Sequence, residues 1–314
     1  MDMKDLVFGG AAGKGLAHLR NLDTVADPSV TRRDGHWWMV MGGMQAEEKV
    51  IHLYTAQSPE LSAGWQISTS PDDPHQAARL TGPPPSGAWD ATGYHCPSYV
   101  RGRDADGNVV ERIYYASSTA WESLYGPYQI GFLQWDGTRW ARHPEPVFTA
   151  SESWERGTVL EPNVLYHEGS WMLRYTAGLA ADGRPSVGWA ESADGVSGWR
   201  RRGQPEEDRF DALVTRDGEG FALVTSRHPL DSVFTPEHGL WRARGDSPHG
   251  PWKPARQIVR TIDGTAWHDA GVWKPTAVAD GGRLAVFFTV AQRSDNPYVP
   301  ALGVGGIVLS EAHA

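Results

Sequence analysis

The 314-residue sequence predicts an all-β protein, a five-bladed β-propeller, on three observations. Helical periodicity is absent nearly everywhere, while short runs of β-branched and aromatic residues recur between Asp-Gly or Gly-rich turns. The composition holds 36 Gly, 22 Pro and 15 Trp, a balance rich in turns and aromatics. A strand-turn-strand pattern also repeats five times over the whole chain, which points to blades rather than a sandwich or jelly roll.

The five copies run in order as "ADPSVTRRDGHWWMVMGG" from Ala26, "HCPSYVRGRDADGNVVERIYYASS" from His95, "LEPNVLYHEGSWMLRYTAG" from Leu160, "FDALVTRDGEGFALVTSR" from Phe210 and "KPTAVADGGRLAVFFTVAQ" from Lys274. Four of them turn at a similar offset, at Asp34, Glu168, Asp217 and Asp280; only the Cys96 copy has a longer turn. A third strand follows each copy, and behind the first four comes a small-polar turn ending in Trp65, Trp140, Trp199 or Trp252, read as structural residues. The fifth third strand, "VGGIVLSE", ends the chain. The anchors Asp27, Cys96, Glu161, Asp211 and Lys274 are separated by 69, 65, 50 and 63 residues, and residues 1–314 are expected to form a single domain. In a propeller the first strand of each blade lies nearest the axis, so the five anchors should form a ring at one mouth of the central channel.

Net charge narrows the partners. With 29 Lys and Arg against 38 Asp and Glu, the surface would repel a phosphate backbone, so nucleic acid is not expected. Arg200, Arg201 and Arg202 are the one local exception, and their plain reading is a solvated strand edge. The longest apolar runs fall far short of the ~20 residues a membrane helix needs. The N-terminus carries acidic residues and no uninterrupted apolar core, so a cytoplasmic setting is expected. A single cysteine allows neither an internal disulfide nor a thiolate zinc cage, and no phosphate loop, zinc helix or nucleophile elbow is present.

Three carboxylates and an ammonium in one ring are candidates for catalysis. Crowded like charges split their pKa values, leaving one acid and one base near neutral pH, which glycosidic bond cleavage requires. The alternative is that each Asp-Pro or Glu-Pro caps a strand turn. Indole rings suit the apolar faces of sugars, and Trp89, Trp154 and Trp267 each lie 7 residues before an anchor. With Trp273 beside Lys274 and Trp121 in the "SSTAWESLYGPY" insertion, they are candidate substrate contacts; stapling of neighbouring blades is the competing reading.

On these motifs the chain resembles the five-bladed propeller glycoside hydrolases of families 43, 62, 32 and 68, over essentially its whole length, and it lies closest in pattern to family 43. The resemblance implies that Asp27 in "ADPSV" is the general base of an inverting reaction, as in family 43, or the nucleophile of a retaining one, as in family 32. It implies that Glu161 in "LEPNV" tunes the pKa of the acid, and that Asp211 in "DRFDALV" is the general acid, with Glu206, Glu207 and Asp208 nearby. Here the usual side-chain lengths are exchanged between blades three and four, and blade four lacks its proline. The resemblance also implies a fifth-blade histidine near the axis, here His268, beside a structural cation in some members; no metal or other cofactor is required. Lys274 would neutralise a carboxylate or hold an anionic group of the substrate. Cys96 is expected as an unreactive wall of the pocket, with His95 or Ser98 as substrate contacts.

The expected function is therefore hydrolysis of a small pentoside or fructoside, the partner being a small carbohydrate or glycosylated metabolite. A non-hydrolytic tailoring enzyme (transferase, lyase or cyclase) and a sugar-binding propeller without catalysis are the alternatives.

Overall fold

A computed structural model describes residues 4–45, 48–121, 126–179, 184–203, 205–207, 209–227, 234–263, 266–293 and 301–309. It is a five-bladed β-propeller of antiparallel sheets. Blade 1 runs outward from the axis through Thr24–Arg33, His36–Met44, His52–Ser58 and Gln66–Ile67. Blade 2 contains His95–Arg103, Val109–Ser117, Gln129–Trp135 and Trp140–Arg142, and blade 3 contains Val159–His167, Ser170–Ala177, Ser186–Ser192 and Arg200–Arg201. Ala212–Asp217, Gly220–Arg227, Gly239–Gly245 and Arg256–Arg260 build blade 4. Blade 5 is closed across the chain's ends: Gly271–Asp280, Arg283–Gln292 and Ala301–Leu309 are joined on the outside by Lys4–Gly9. That outermost strand, which the repeat pattern did not include, pairs Asp5 with Gly306 and buries Leu6 and Phe8.

The expected turns follow from backbone chemistry. Asp34-Gly35, Glu168-Gly169 and Gly281-Gly282 have positive φ at both positions, the type I′ geometry that matches the twist of a two-residue hairpin. In blade 4 the loop is Gly218-Glu219, with the positive φ at glycine alone.

The outer tryptophans staple blade to blade. Trp65 of blade 1 meets Phe287 of blade 5 edge-on at 5.5 Å, Trp140 of blade 2 stacks on Trp38 of blade 1 at 6.4 Å, and Trp199 of blade 3 meets Tyr114 of blade 2 at 6.4 Å. Trp252 packs into the apolar cluster that holds Val187 and Leu165 of blade 3. Nearer the axis, hydroxyls tie first strands together two residues after three of the anchors. Ser29 accepts the Tyr99 N–H at 3.0 Å, Ser98 accepts the Val164 N–H at 3.0 Å, and Thr276 accepts the Val30 N–H at 3.2 Å. Blade 4 has Leu213 at this position and offers no such acceptor. Ser98, a candidate substrate contact in the sequence, is thus buried and engaged in an inter-blade bond.

Candidate functional site

Four anchors share one backbone device. Asp27, Cys96, Glu161 and Lys274 have φ of 57°, 54°, 52° and 47°, left-handed values that cost a non-glycine residue ~1–3 kcal/mol each. Each sits at a β-bulge, where the anchor and its following proline oppose a single residue of the neighbouring strand: Met41, Tyr115, Tyr175 or Phe288. Proline suits the bulge, because it brings no N–H that would need a ladder partner. Asp211 is followed by Ala212, and its strand pairs without a bulge.

The bulges bring the expected ring together. Donor atoms of Asp27, Cys96 and Glu161 lie within 4.8 Å of one another. The Lys274 ammonium reaches across from blade 5, donates to the Pro162 carbonyl at 2.6 Å and stands 3.5 Å from Glu161 Oε2. Asp211 accepts the Lys274 backbone N–H, at 2.9 Å to Oδ2, and the hydroxyl of Ser226. Asp27 is held by Thr289 of blade 5, whose hydroxyl donates to its carboxylate at 2.8 Å while accepting its N–H at 2.7 Å.

Exposure separates the members. Asp27 is half-buried, while Cys96 is 6%, Glu161 4%, Asp211 1% and Lys274 1% exposed. Burial, reinforced by the charges of Asp27 and Asp211, pushes the Glu161 carboxyl well above the ordinary range despite the opposing pull of Lys274. Burial likewise raises Asp211 to about 6. The Cys96 thiol is driven well above its usual pKa, by burial first and then by Asp27 and Glu161, so it is a neutral wall. His95 points its Nε2 to Thr92 Oγ1 at 3.2 Å rather than to Cys96, and burial lowers it to about 4.

Lys274 is buried inside the ring, and its ammonium is turned to Glu161 and to the Pro162 carbonyl. A cation does not fit here. The residues that could hold one, Asp27, Cys96 and Glu161, already have an ammonium 3.5 Å from Glu161 Oε2. His268 is fully buried, against the Trp267 ring and with Asp263 at 3.5 Å.

The tryptophans seven residues before the anchors pack within their own blades. Trp89 stacks on Tyr115 at 5.7 Å, Trp154 on Tyr175 at 6.0 Å and Trp267 on Phe288 at 6.3 Å, each over a third-strand glycine: Gly131, Gly188 or Gly305. The stacked rings are those opposite the bulges. Residues the sequence reading missed complete the device. Asp90, beside Trp89, is fully buried and takes the Tyr115 hydroxyl at 2.7 Å and Arg142 at 2.6 Å. Glu155, beside Trp154, takes the Tyr175 hydroxyl at 2.7 Å and Arg201 at 2.7 Å. Arg201 is therefore a tie to a buried carboxylate, not a solvated edge.

The rim of the ring is aromatic. His95 lies 4.9 Å from Trp121, which is 41% exposed, and 5.7 Å from Tyr128. Trp273 packs against Tyr128, Leu160 and Phe210. Tyr128, unforeseen from the sequence, has its hydroxyl pushed up to about 12 by burial and by the ring's acidic groups. Glu206 and Glu207 pair with blade 3 instead, where Glu206 takes Arg174 at 2.8 Å; Asp208 lies outside the described residues.

Solved structures share this architecture at low identity. An α-L-arabinofuranosidase from Lactobacillus brevis aligns over 90% of this chain and 91% of its own, with 13% identity and a TM-score of 0.61. The catalytic domain of a family 62 α-L-arabinofuranosidase from Coprinopsis cinerea aligns over 98% and 96%, with 13% identity and a TM-score of 0.59. A family 43 enzyme from Xanthomonas citri, solved with xylotriose, aligns over 95% and 92%, with 14% identity and a TM-score of 0.61. The fold is that of the glycoside hydrolase propellers. No family model and no curated protein matches the sequence.

Proposed function

We propose that this propeller cleaves a glycosidic bond in a small pentoside or fructoside at the axial ring. The observation that carries the reading is the convergence of Asp27, half-open to solvent, with two buried carboxyls, Glu161 and Asp211, that burial holds toward their protonated forms. A glycosidase needs an ionised carboxylate for the sugar or its attacking water and a protonated one for the leaving oxygen. Asp27 is the base or nucleophile, and the acid comes from the buried pair, which the family resemblance divides into a tuner, Glu161, and an acid, Asp211. His95, Trp121, Tyr128 and Trp273 supply rings against which a sugar can lie. The arabinofuranosidases of the same fold support a pentose as the sugar.

The test is a panel of aryl arabinofuranosides, xylosides and fructosides together with natural oligosaccharides. Wild type releases sugar from at least one, and Asp27→Asn lowers kcat on it by ~10³-fold or more while the melting temperature stays within a few degrees. No release from any member, with Asp27→Asn indistinguishable, contradicts the reading. A transfer reaction on the same ring is the alternative reading. It is separated from hydrolysis by supplying an alcohol acceptor and measuring the glycoside formed.

A further inference from the structure

Given the glycosidase reading, on which this step rests, we infer that Glu161 rather than Asp211 donates the proton, and that Asp27 attacks the sugar directly, so cleavage retains the anomeric configuration.

Asp211 is poorly placed to be an acid. Its oxygens accept the Lys274 N–H and the Ser226 hydroxyl, so both are already engaged. No bulge turns its strand there. Its geometry is that of a clamp that fixes the Lys274 backbone and joins blade 4 to blade 5. Glu161 stands on a left-handed bulge, as Asp27 does, and its buried Oε2 has no hydrogen-bond partner among the described residues. Its neighbour is the Lys274 ammonium at 3.5 Å, tethered to the Pro162 carbonyl, which stabilises the carboxylate left once the proton has gone.

Separation sets the stereochemistry. Inverting sites keep their two carboxyls ~6.5–9.5 Å apart to admit a water, whereas retaining sites hold them at ~5–5.5 Å. The nearest oxygens of Asp27 and Glu161 fall within 4.8 Å, with the neutral Cys96 thiol beside them. That spacing falls beside the retaining range and well short of the inverting one, and it suits attack by the carboxylate itself.

The steps balance without a cofactor. An Asp27 oxygen bonds to the anomeric carbon as the bond to the leaving oxygen breaks, and that oxygen takes the Glu161 proton, giving an alcohol and a glycosyl ester on Asp27. Water then attacks the same carbon, Glu161 takes a proton from it, and Asp27 leaves as a carboxylate. The products are the free sugar and the starting enzyme; an alcohol replacing the water gives a transferred glycoside.

Proton NMR of the first minutes of turnover, on whichever panel glycoside wild type cleaves, tests this without any variant. The expected product has the anomeric configuration of the substrate. An inverted product overturns the inference and leaves the glycosidase reading standing, while absence of turnover on every glycoside overturns both. Two variants test the proton donor. Glu161→Gln should lose ~10²–10⁴-fold in kcat with a poor alkoxide leaving group and far less with dinitrophenolate, and added azide should restore turnover as a glycosyl azide. Asp211→Asn should show neither the leaving-group dependence nor the azide rescue. If that pair of signatures belongs to Asp211→Asn instead, the assignment is wrong.

Discussion

Lys274 brings an ammonium to a position that is 1% exposed, and its carboxylate neighbour is Glu161 at 3.5 Å. Its ammonium draws the Glu161 pKa down against burial and against Asp27 and Asp211. Removing that charge in Lys274→Met raises Glu161 further, so the alkaline limb of the kcat/KM profile should move to higher pH; an unmoved limb would remove Glu161 from the acid role. Asp211 carries a second pH signature, in stability. Its folded pKa is raised from 3.8 to about 6, so the folded state favours its protonated form. The stability it contributes is complete below pH 3.8 and is lost as pH rises through about 6. The melting temperature of wild type minus that of Asp211→Asn should therefore fall across this window in a denaturation series. At this scale the ring was legible, because X-Pro in register marks a bulge that aims a side chain at the axis. Which carboxylate is sealed was not legible: Asp211 is closed off by Ser226 and by a backbone N–H from another blade, contacts that leave no local pattern.

Within a blade, one element recurs. In blades 2 and 3 a tryptophan covers a third-strand glycine and stacks on a tyrosine, while the acidic residue after it binds that tyrosine and an arginine from the outermost strand. Blade 5 keeps the ring on glycine, with Trp267 on Phe288, and replaces the acid with His268. Glu155 and Asp90 look like site residues by burial and charge, yet every contact found for them ties the blade together. Breaking such a buried pair leaves an uncompensated charge, so Glu155→Gln should cost ~3–5 kcal/mol in urea unfolding, with KM for the glycoside little changed. Gly188→Val should displace Trp154 and give a similar loss, since even a Cβ there would crowd the ring. The seven-residue spacing was visible in the sequence, but its meaning depended on glycine and tyrosine partners on two other strands. The deciding signal, a Trp-Asp or Trp-Glu pair ahead of an anchor, was present and reads as packing once those partners are known.

Over the whole molecule, closure is the feature that sequence order concealed. Five repeats were readable from their turns and anchors, whereas the outermost strand of blade 5 comes from Lys4–Gly9, roughly three hundred positions from the strand it joins. Leu6 and Phe8 enter two separate core clusters, so this strand holds the ring shut. A chain lacking residues 1–9 should melt several degrees lower in circular dichroism, and one that melts with wild type would show that the other strands suffice. Among the described residues no helix is long and apolar enough to cross a membrane. Closure also shapes the axis. Beyond the anchors, toward the hairpin end, the first strands enclose a cavity of about 490 Å³ lined by residues such as Arg101, Glu111 and Asn163. The propeller thus offers a sugar two places, the carboxylate ring with its aromatic rim and this inner cavity. A crystal structure with a bound pentose decides between them most directly. The account predicts the anomeric carbon ~3–3.5 Å from an Asp27 carboxylate oxygen, with its exocyclic oxygen turned toward Glu161. A sugar held in the inner cavity, with Asp27 making no contact to it, would contradict the account.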